Sequence, residues 1–373
     1  MKIIESKTIY KDGEYPAFPN LAKLHNGQII CAFRHALDRQ KQYGRHTHVD
    51  PTAKDVFIVS PDGGNTFDPD LHVILDDEMS EQDPCVNVLS DGRILVTYFR
   101  WQLVPIGKGP ETWGKENFEF EGRSLHGLYD CYVYGTSWSI SDDNGATWRH
   151  MPVIRDPNIP EAACVRGNIV EMPDGTLLLP YYGSLAPKEL SRIGLMRSTD
   201  RGESWQYFSE MAYDGDGFRT FVEPFLYLTE SGRLVCLIRT QSDYNKKGLS
   251  FDDTYLNLHI TVSEDGGKTF GPVEEIPSVY ASNPFHALRL QSGRVLVTYG
   301  YRRAPFGMRA KLCNAELTDL NEAEEIILRD DAATGDVGYP NAIQLDNGDI
   351  LVAYYFNNAD HLRSIEVTRL RED

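Results

Sequence analysis

Phenol, carboxylate and guanidinium groups stand at matching places in this chain, directly ahead of or behind six similar apolar segments. Asp83-Pro84, Arg166-Gly167, Glu223-Pro224 and Tyr339-Pro340 open four of the segments, and Arg34, Arg100 and Arg239 close three. Arg309 follows the fifth, and Asp50 follows a basic loop, Arg45-His46-Thr47-His48-Val49. A phenol attacks carbon only with a base beside it, because free tyrosine ionises at about pH 10. Arginine grips a planar carboxylate with two parallel bonds, which lysine cannot. His286, in Asn283-Pro284-Phe285-His286, reads as a binding residue, since no second histidine has metal-ligand spacing. His46 and His48 would share one side of a strand but lack a third ligand, so neither a metal site nor a cofactor is expected.

The segments that position these groups repeat one phrase, apolar–x–Leu or Met–turn–Gly–x–apolar–apolar–x–x–Tyr. Its turn glycines are Gly27, Gly92, Gly175, Gly232, Gly293 and Gly348, spaced 65, 83, 57, 61 and 55 residues apart. An apolar run, a short Gly-containing turn and a second apolar run ending in aromatics make a β-hairpin signal. Between the hairpins a second pattern recurs, S-x-D-x-G-x-T/S-aromatic, at Ser60–Phe67, Ser141–Trp148, Ser198–Trp205 and Ser263–Phe270. In it the Asp and Ser/Thr oxygens bind backbone amides, and Gly supplies positive φ. A degenerate version lies near Asn314–Leu320. Six hairpins at a period somewhat above the roughly 40–50 residues of a propeller blade predict an all-β, six-bladed β-propeller spanning 1–373. Lys2–Ile9 is expected to join Ser364–Leu370 in the last blade, closing the ring. An aromatic insertion at about 102–135, in blade two, reads as a loop packed over one end and a candidate pocket wall.

Lys and Arg total 37 against 55 Asp and Glu, a net charge of -18. Such a surface repels nucleic acid and anionic membranes at long range. No stretch is long and apolar enough to span a bilayer, and the start lacks the apolar core of a signal peptide. The six cysteines stand singly and read as reduced core thiols, so a cytoplasmic protein is expected. The oligomeric state stays open.

The tyrosine, glutamate and arginines at the blade heads, with the four repeated turns, which resemble Asp-boxes, make the chain similar to the sialidase (neuraminidase) superfamily over nearly its whole length. The resemblance implies a retaining glycosidase whose partner would be a small oligosaccharide or glycoside. Tyr339 falls on the nucleophile, Glu223 on its activator, Asp50 on the acid/base, and Arg239 and Arg309 on two of three arginines that clamp the substrate carboxylate. A carboxylate on the anomeric carbon would repel a carboxylate nucleophile, which is why a neutral phenol relayed by a glutamate suits such a sugar. Asp83 joins the candidates for substrate binding, and Asp38, Asp55 and Asp83 compete with Asp50.

Two departures stand out. Where the family has Arg-Ile-Pro at the head of blade one, this chain has Ala17-Phe18-Pro19, and where a glutamate follows the last inner strand it has Tyr354-Tyr355. Arg34, Arg166 or His286 would then take part of the clamp, or the sugar differs. Structural alternatives stay open: Glu223–Arg239 as a blade-end ion pair, Tyr339 as packing on Pro340, Arg309 as a surface arginine. Three readings remain: a sialidase-type exo-glycosidase, a glycosidase or lyase for another sugar, and a non-catalytic carbohydrate-binding propeller.

Overall fold

The computed structural model describes residues 1–44, 47–125, 127–186, 189–215, 217–242 and 255–372. Arg45 and His46 lie outside them, so the paired-histidine reading of that loop has no structural counterpart here. Among the described residues six antiparallel sheets are arranged as a six-bladed propeller. Counted outward, blade one is Tyr15–Lys23, Ile29–Ala36, Lys54–Ser60 and His72–Leu75, and blade two is Ser80–Val88, Ile94–Pro105, Tyr129–Ser141 and Arg149–His150. Blades three, four and five begin at Val170–Glu171, Arg219–Leu228 and Phe285–Arg289. Blade six runs Gly338–Gln344, Ile350–Asn357, Arg363–Arg371 and then the N-terminal strand Lys2–Tyr10. The closing pair expected from sequence therefore forms, antiparallel from Lys2 opposite Arg371 to Tyr10 opposite Ile365, with register shifts between Ile3 and Glu5 and between Thr8 and Tyr10.

Each inner hairpin turns at its glycine, and all six glycines have φ between 84° and 91°, a region that costs other residues a Cβ clash. Alternation then sends one face of each sheet into the next blade. Ile30 and Val96 share a core between blades one and two, Leu95 and Leu179 between two and three, Leu195 and Leu226 between three and four. Leu237 with Phe285, Met308 with Val352, and Leu351 with Ile29 complete the circuit. Burying one such side chain contributes about 1.5–3 kcal/mol, so stability is spread over every blade interface.

The four S-x-D-x-G turns form as their residue types dictate. In the second, Asp143 Oδ1 accepts the Thr147 amide at 2.9 Å and Ser141 Oγ accepts the Gly145 amide at 2.8 Å. The degenerate blade-five version uses Asn314, whose Oδ1 accepts the amides of Glu316 and Thr318. All six cysteines are buried and free.

The insertion differs from the loop expected. The strands Ile94–Pro105 and Tyr129–Ser141 continue past the blade as a paired ribbon, Trp101 opposite Val133 and Pro105 opposite Tyr129. Short helices at Gly109–Trp113 and Lys115–Glu121 and a strand at Gly122–Leu125 cap it. Trp113 stacks on Phe118 and Tyr132, with ring centroids 5.9 and 5.5 Å apart. Enough apolar side chains lie along the ribbon to give it a core of its own, with Trp101, Cys131 and Val133 packed against Ala162 and Cys164.

Candidate functional site at the propeller hub

Four blades open in the same unusual way. Phe18, Asp83, Glu223 and Tyr339 have φ of 60°, 57°, 46° and 55°, and each precedes a proline. Residues before proline favour extended backbone, and positive φ is uncommon for side chains of this size. At all four places the ladder with the neighbouring strand slips, between Ala17 and Asn20, Gln82 and Cys85, Val222 and Phe225, and Gly338 and Asn341. Strain of about 1–3 kcal/mol per residue is thus repeated around the axis, where it gathers side chains from different blades.

Two of these side chains meet. The Tyr339 hydroxyl donates a short hydrogen bond to Glu223 Oε1, and Arg239 Nη1 donates to Glu223 Oε2. The same Arg239 nitrogen lies 3.4 Å from the phenol oxygen, and Nη2 donates to the Tyr255 hydroxyl at 3.2 Å. Phe18 packs on the Tyr339 ring at 4.5 Å. Burial, then the charges of Glu223 and Asp83, push the phenol well above its ordinary pKa, and Arg239 and Arg302 only partly oppose them. The neighbouring arginines do not bring it down. In the folded protein the phenol instead stays protonated, with its proton already pointed at a carboxylate.

Arg166 is a hub latch. Its Nη2 lies 3.3 Å from the Tyr339 carbonyl and 3.4 Å from that of Pro19, and its Nη1 lies 3.4 Å from Cys85 Sγ. It thereby joins blade three to blades one, two and six. Arg34 is fully buried with its guanidinium 5.6 Å from the Tyr15 ring, and none of its nitrogens has a hydrogen-bond partner among the described residues. Its cross-strand neighbour Asp55 is equally buried, and burial with the charges of Glu81 and Asp83 pushes that carboxyl up.

Asp83 is buried with Oδ1 unpartnered among the described residues, and its pKa is pushed up to about 8. Burial is the main cause; Arg166 opposes it and Glu223 adds to it. Asp50 is a different case. Arg39 Nε and Nη2 donate to its two oxygens at 2.8 and 3.2 Å, and Thr52 adds its amide and hydroxyl at 2.9 and 2.6 Å. Burial works to raise its pKa, but these bonds outweigh it and hold the carboxyl below its usual value.

Besides Asp50, which does not line the cleft, two expected site residues are not brought to this group. Arg309 lies in the blade-five strand Gly307–Cys313, where Nη1 donates to the carbonyls of Met308 and Arg329 at 3.1 and 2.6 Å. Its guanidinium stacks 4.6 Å from Tyr301. The arginine that does reach the hub is Arg302, 5.9 Å from the Tyr339 ring and 2.8 Å from the Tyr355 hydroxyl. It follows the inner hairpin directly, as Arg34 and Arg239 close theirs, and that position was the available signal. His286 sits deeper along the axis, accepting the Ala342 amide at 3.3 Å. Burial, helped by Arg166, pushes it down to about 3, so it is neutral near pH 7. It lines a separate cavity with Asn87, Asn168 and Asn341.

The hub opens into a cleft of about 340 Å³ whose walls include Asp83, Glu223, Tyr339, Trp101, Tyr182 and His48. Arg123 lines this cleft, whereas Arg34, Arg166, Arg239 and Arg302 do not. His48, with 43% of its side chain exposed, is the residue the sequence had weighed only as a metal ligand. Its Nε2 lies 3.1 Å from Asp336 Oδ1, and its ring sits edge-on to Phe18 at 5.4 Å. Asp336 also accepts the hydroxyls of Tyr15 at 2.8 Å and Tyr355 at 2.9 Å, and Arg363 Nε at 2.9 Å. Burial opposes its charge, yet His48 and Arg363 hold it well below the usual carboxylate range.

The profile of the BNR repeat-like domain matches residues 117–352, well over half of the chain. The chain belongs to that family. A protein of unknown function from Dyadobacter fermentans is 33% identical over 100% of this chain and 99% of its own, with a TM-score of 0.86. The BNR repeat fold also superposes on a leech intramolecular trans-sialidase at TM-score 0.67 and 15% identity, covering 99% of this chain and 70% of that one. A Penicillium chrysogenum alpha-L-arabinanase gives 0.68 and 13%, covering 100% and 99%. At these identities the last two speak for the propeller fold alone. A search of curated proteins returns no match.

Proposed function

We propose that this propeller is a retaining glycoside hydrolase that releases a terminal sialic acid or related acidic sugar, with Tyr339 as nucleophile and Glu223 as its base. The observation that carries the reading is the Tyr339–Glu223–Arg239 arrangement at the floor of the cleft. In attack, Glu223 takes the phenol proton as the phenol oxygen bonds to the anomeric carbon. Arg239 keeps Glu223 oriented, and Arg302 adds positive charge near the oxygen that gains negative charge. A structural ion pair needs no phenol in its carboxylate, and a lectin needs no buried base.

A second reading, a different and uncharged sugar, is favoured by the cleft wall. It presents Asp83 and Glu223 together with Arg123, while Arg166, Arg239 and Arg302 outside it are engaged with protein groups and Phe18 occupies the blade-one head. Turnover of a panel of nitrophenyl glycosides separates the two. Preference for the α-sialoside supports the first, preference for a neutral glycoside the second, and sugar binding without turnover of any member rejects both.

A further inference from the structure

Resting on the tyrosine reading above, the geometry points to His48, oriented by Asp336, as the acid/base partner of Tyr339, in place of Asp50. Three observations carry it. His48 lines the same cleft as Tyr339 and Glu223, and its ring and that of Tyr339 both pack against Phe18, at 5.4 and 4.5 Å. Its exposed side chain lies toward solvent, where a leaving group must depart, while Tyr339 is buried at the floor. Asp50, by contrast, has both oxygens engaged by Arg39 and Thr52 and does not line the cleft.

The support behind the imidazole is rigid. Asp336 is fixed from three sides, by Tyr15 of blade one and by Tyr355 and Arg363 of blade six. Tyr355 stands where the resemblance expects a glutamate, so the carboxylate of this corner comes from the loop before blade six instead. A carboxylate on one ring nitrogen sets the tautomer and steadies the imidazolium, which leaves Nδ1 for the ligand. Asp336 on the loop before blade six touches this histidine, Arg363 stands behind Asp336 on the third strand of that blade, and Asp83, Glu223 and Arg123 line the same cleft.

The steps balance. As the Tyr339 oxygen bonds to the anomeric carbon, the glycosidic bond breaks and its electron pair goes to the leaving oxygen, which takes a proton from His48. The phenol proton passes to Glu223. Neutral His48 then removes a proton from water, the water oxygen bonds to the anomeric carbon, the tyrosyl bond breaks, and Glu223 returns the proton to the phenol oxygen. The net reaction is hydrolysis.

The test takes whichever sugar of the panel the wild type turns over best, as its nitrophenyl and its methyl glycoside. General acid help contributes about 10²–10⁴-fold and matters only for the poor leaving group. In His48→Gln, kcat/KM for the methyl glycoside should fall by that factor while the nitrophenyl value changes several-fold at most, with azide restoring its kcat. Asp336→Asn, a positioning change, should show the same split more weakly; because Asp336 is a packing hub, its fold is checked by circular dichroism, and His48→Gln decides if it unfolds. Equal loss on both glycosides in His48→Gln, no loss on either, or the split appearing in Asp50→Asn instead overturns the assignment and leaves the tyrosine reading standing. Full turnover by Tyr339→Phe, or none of any glycoside by wild type, overturns both.

Discussion

The Tyr339 hydroxyl donates to Glu223 across 116 residues of sequence, and the glutamate's other oxygen is gripped by Arg239 from the same blade. Tyr339 and Glu223 each stand on the innermost strand of a blade. Both side chains are delivered by left-handed residues before proline, a conformation that neither residue type favours. The strain is local and the benefit is a phenol aimed at a base.

Glu223→Gln keeps the volume and one acceptor but removes the base. Its kcat should fall by about 10²–10⁴-fold, as for loss of a general base, with a melting temperature lowered because Arg239 loses its buried counter-charge. Steady-state kinetics beside thermal melts measure both. Unchanged kcat would make the contact structural.

Gly338 has φ of 124°, and a Cβ there would lie 2.1 Å from Asn283 Oδ1. Gly338→Ala must therefore move Asn283 or the backbone that carries Tyr339. Gly27, with φ of 86°, has nothing within 4 Å of its Cβ position, so Gly27→Ala meets backbone strain alone. The account expects both to lower the melting point, and only Gly338→Ala to lower kcat as well.

Asp83 prefers its proton in the folded state, up to about 8. Unfolded aspartate ionises at about 4, so between these values the unfolded chain gains a charge that the folded one resists. Wild-type stability from this group is full below the lower value and is lost as pH rises to the upper one. Asp83→Asn lacks the effect. Its melting temperature relative to wild type should rise across that window and level off above it, as a pH series of thermal melts would read.

The repeated turns behave oppositely. Bonds from the hydroxyl and amide of Thr147 hold Asp143 down at about 2, and those of Thr269 do the same for Asp265. Their stabilisation is present above the unfolded value and is lost as pH falls through about 2. The double change Asp143→Asn, Asp265→Asn should lower the melting temperature at neutral pH by a few degrees, and the gap should close in strong acid. A gap independent of pH would mean that the charge does not matter.

The propeller was legible because its rule is local. A glycine turn between two apolar runs is written within fifteen residues, and six repetitions leave little else to build. The closing strand followed from the need to cover an edge. At the hub, Glu223, Tyr339 and Arg239 were readable because they share an offset from the hairpins. Arg302 and Arg309 lie in one segment, and only the register of Tyr301 opposite Gly307 decides which faces the axis. The His48–Asp336 contact spans 288 residues and joins two loops, where no period applies. The insertion read as a loop because its pairing, Trp101 to Val133, crosses a long stretch without a turn signal.

As the nucleophile proposed above, Tyr339 forms a covalent bond to the sugar during turnover. Incubating the protein with a fluorinated, slowly released glycoside of its preferred sugar, then digesting and sequencing by mass spectrometry, tests it directly. One added glycosyl mass is expected on the peptide containing Tyr339, formed more slowly in Glu223→Gln and absent in Tyr339→Phe. Turnover with no adduct on that peptide, or an adduct on Asp83 or Glu223 instead, would contradict it.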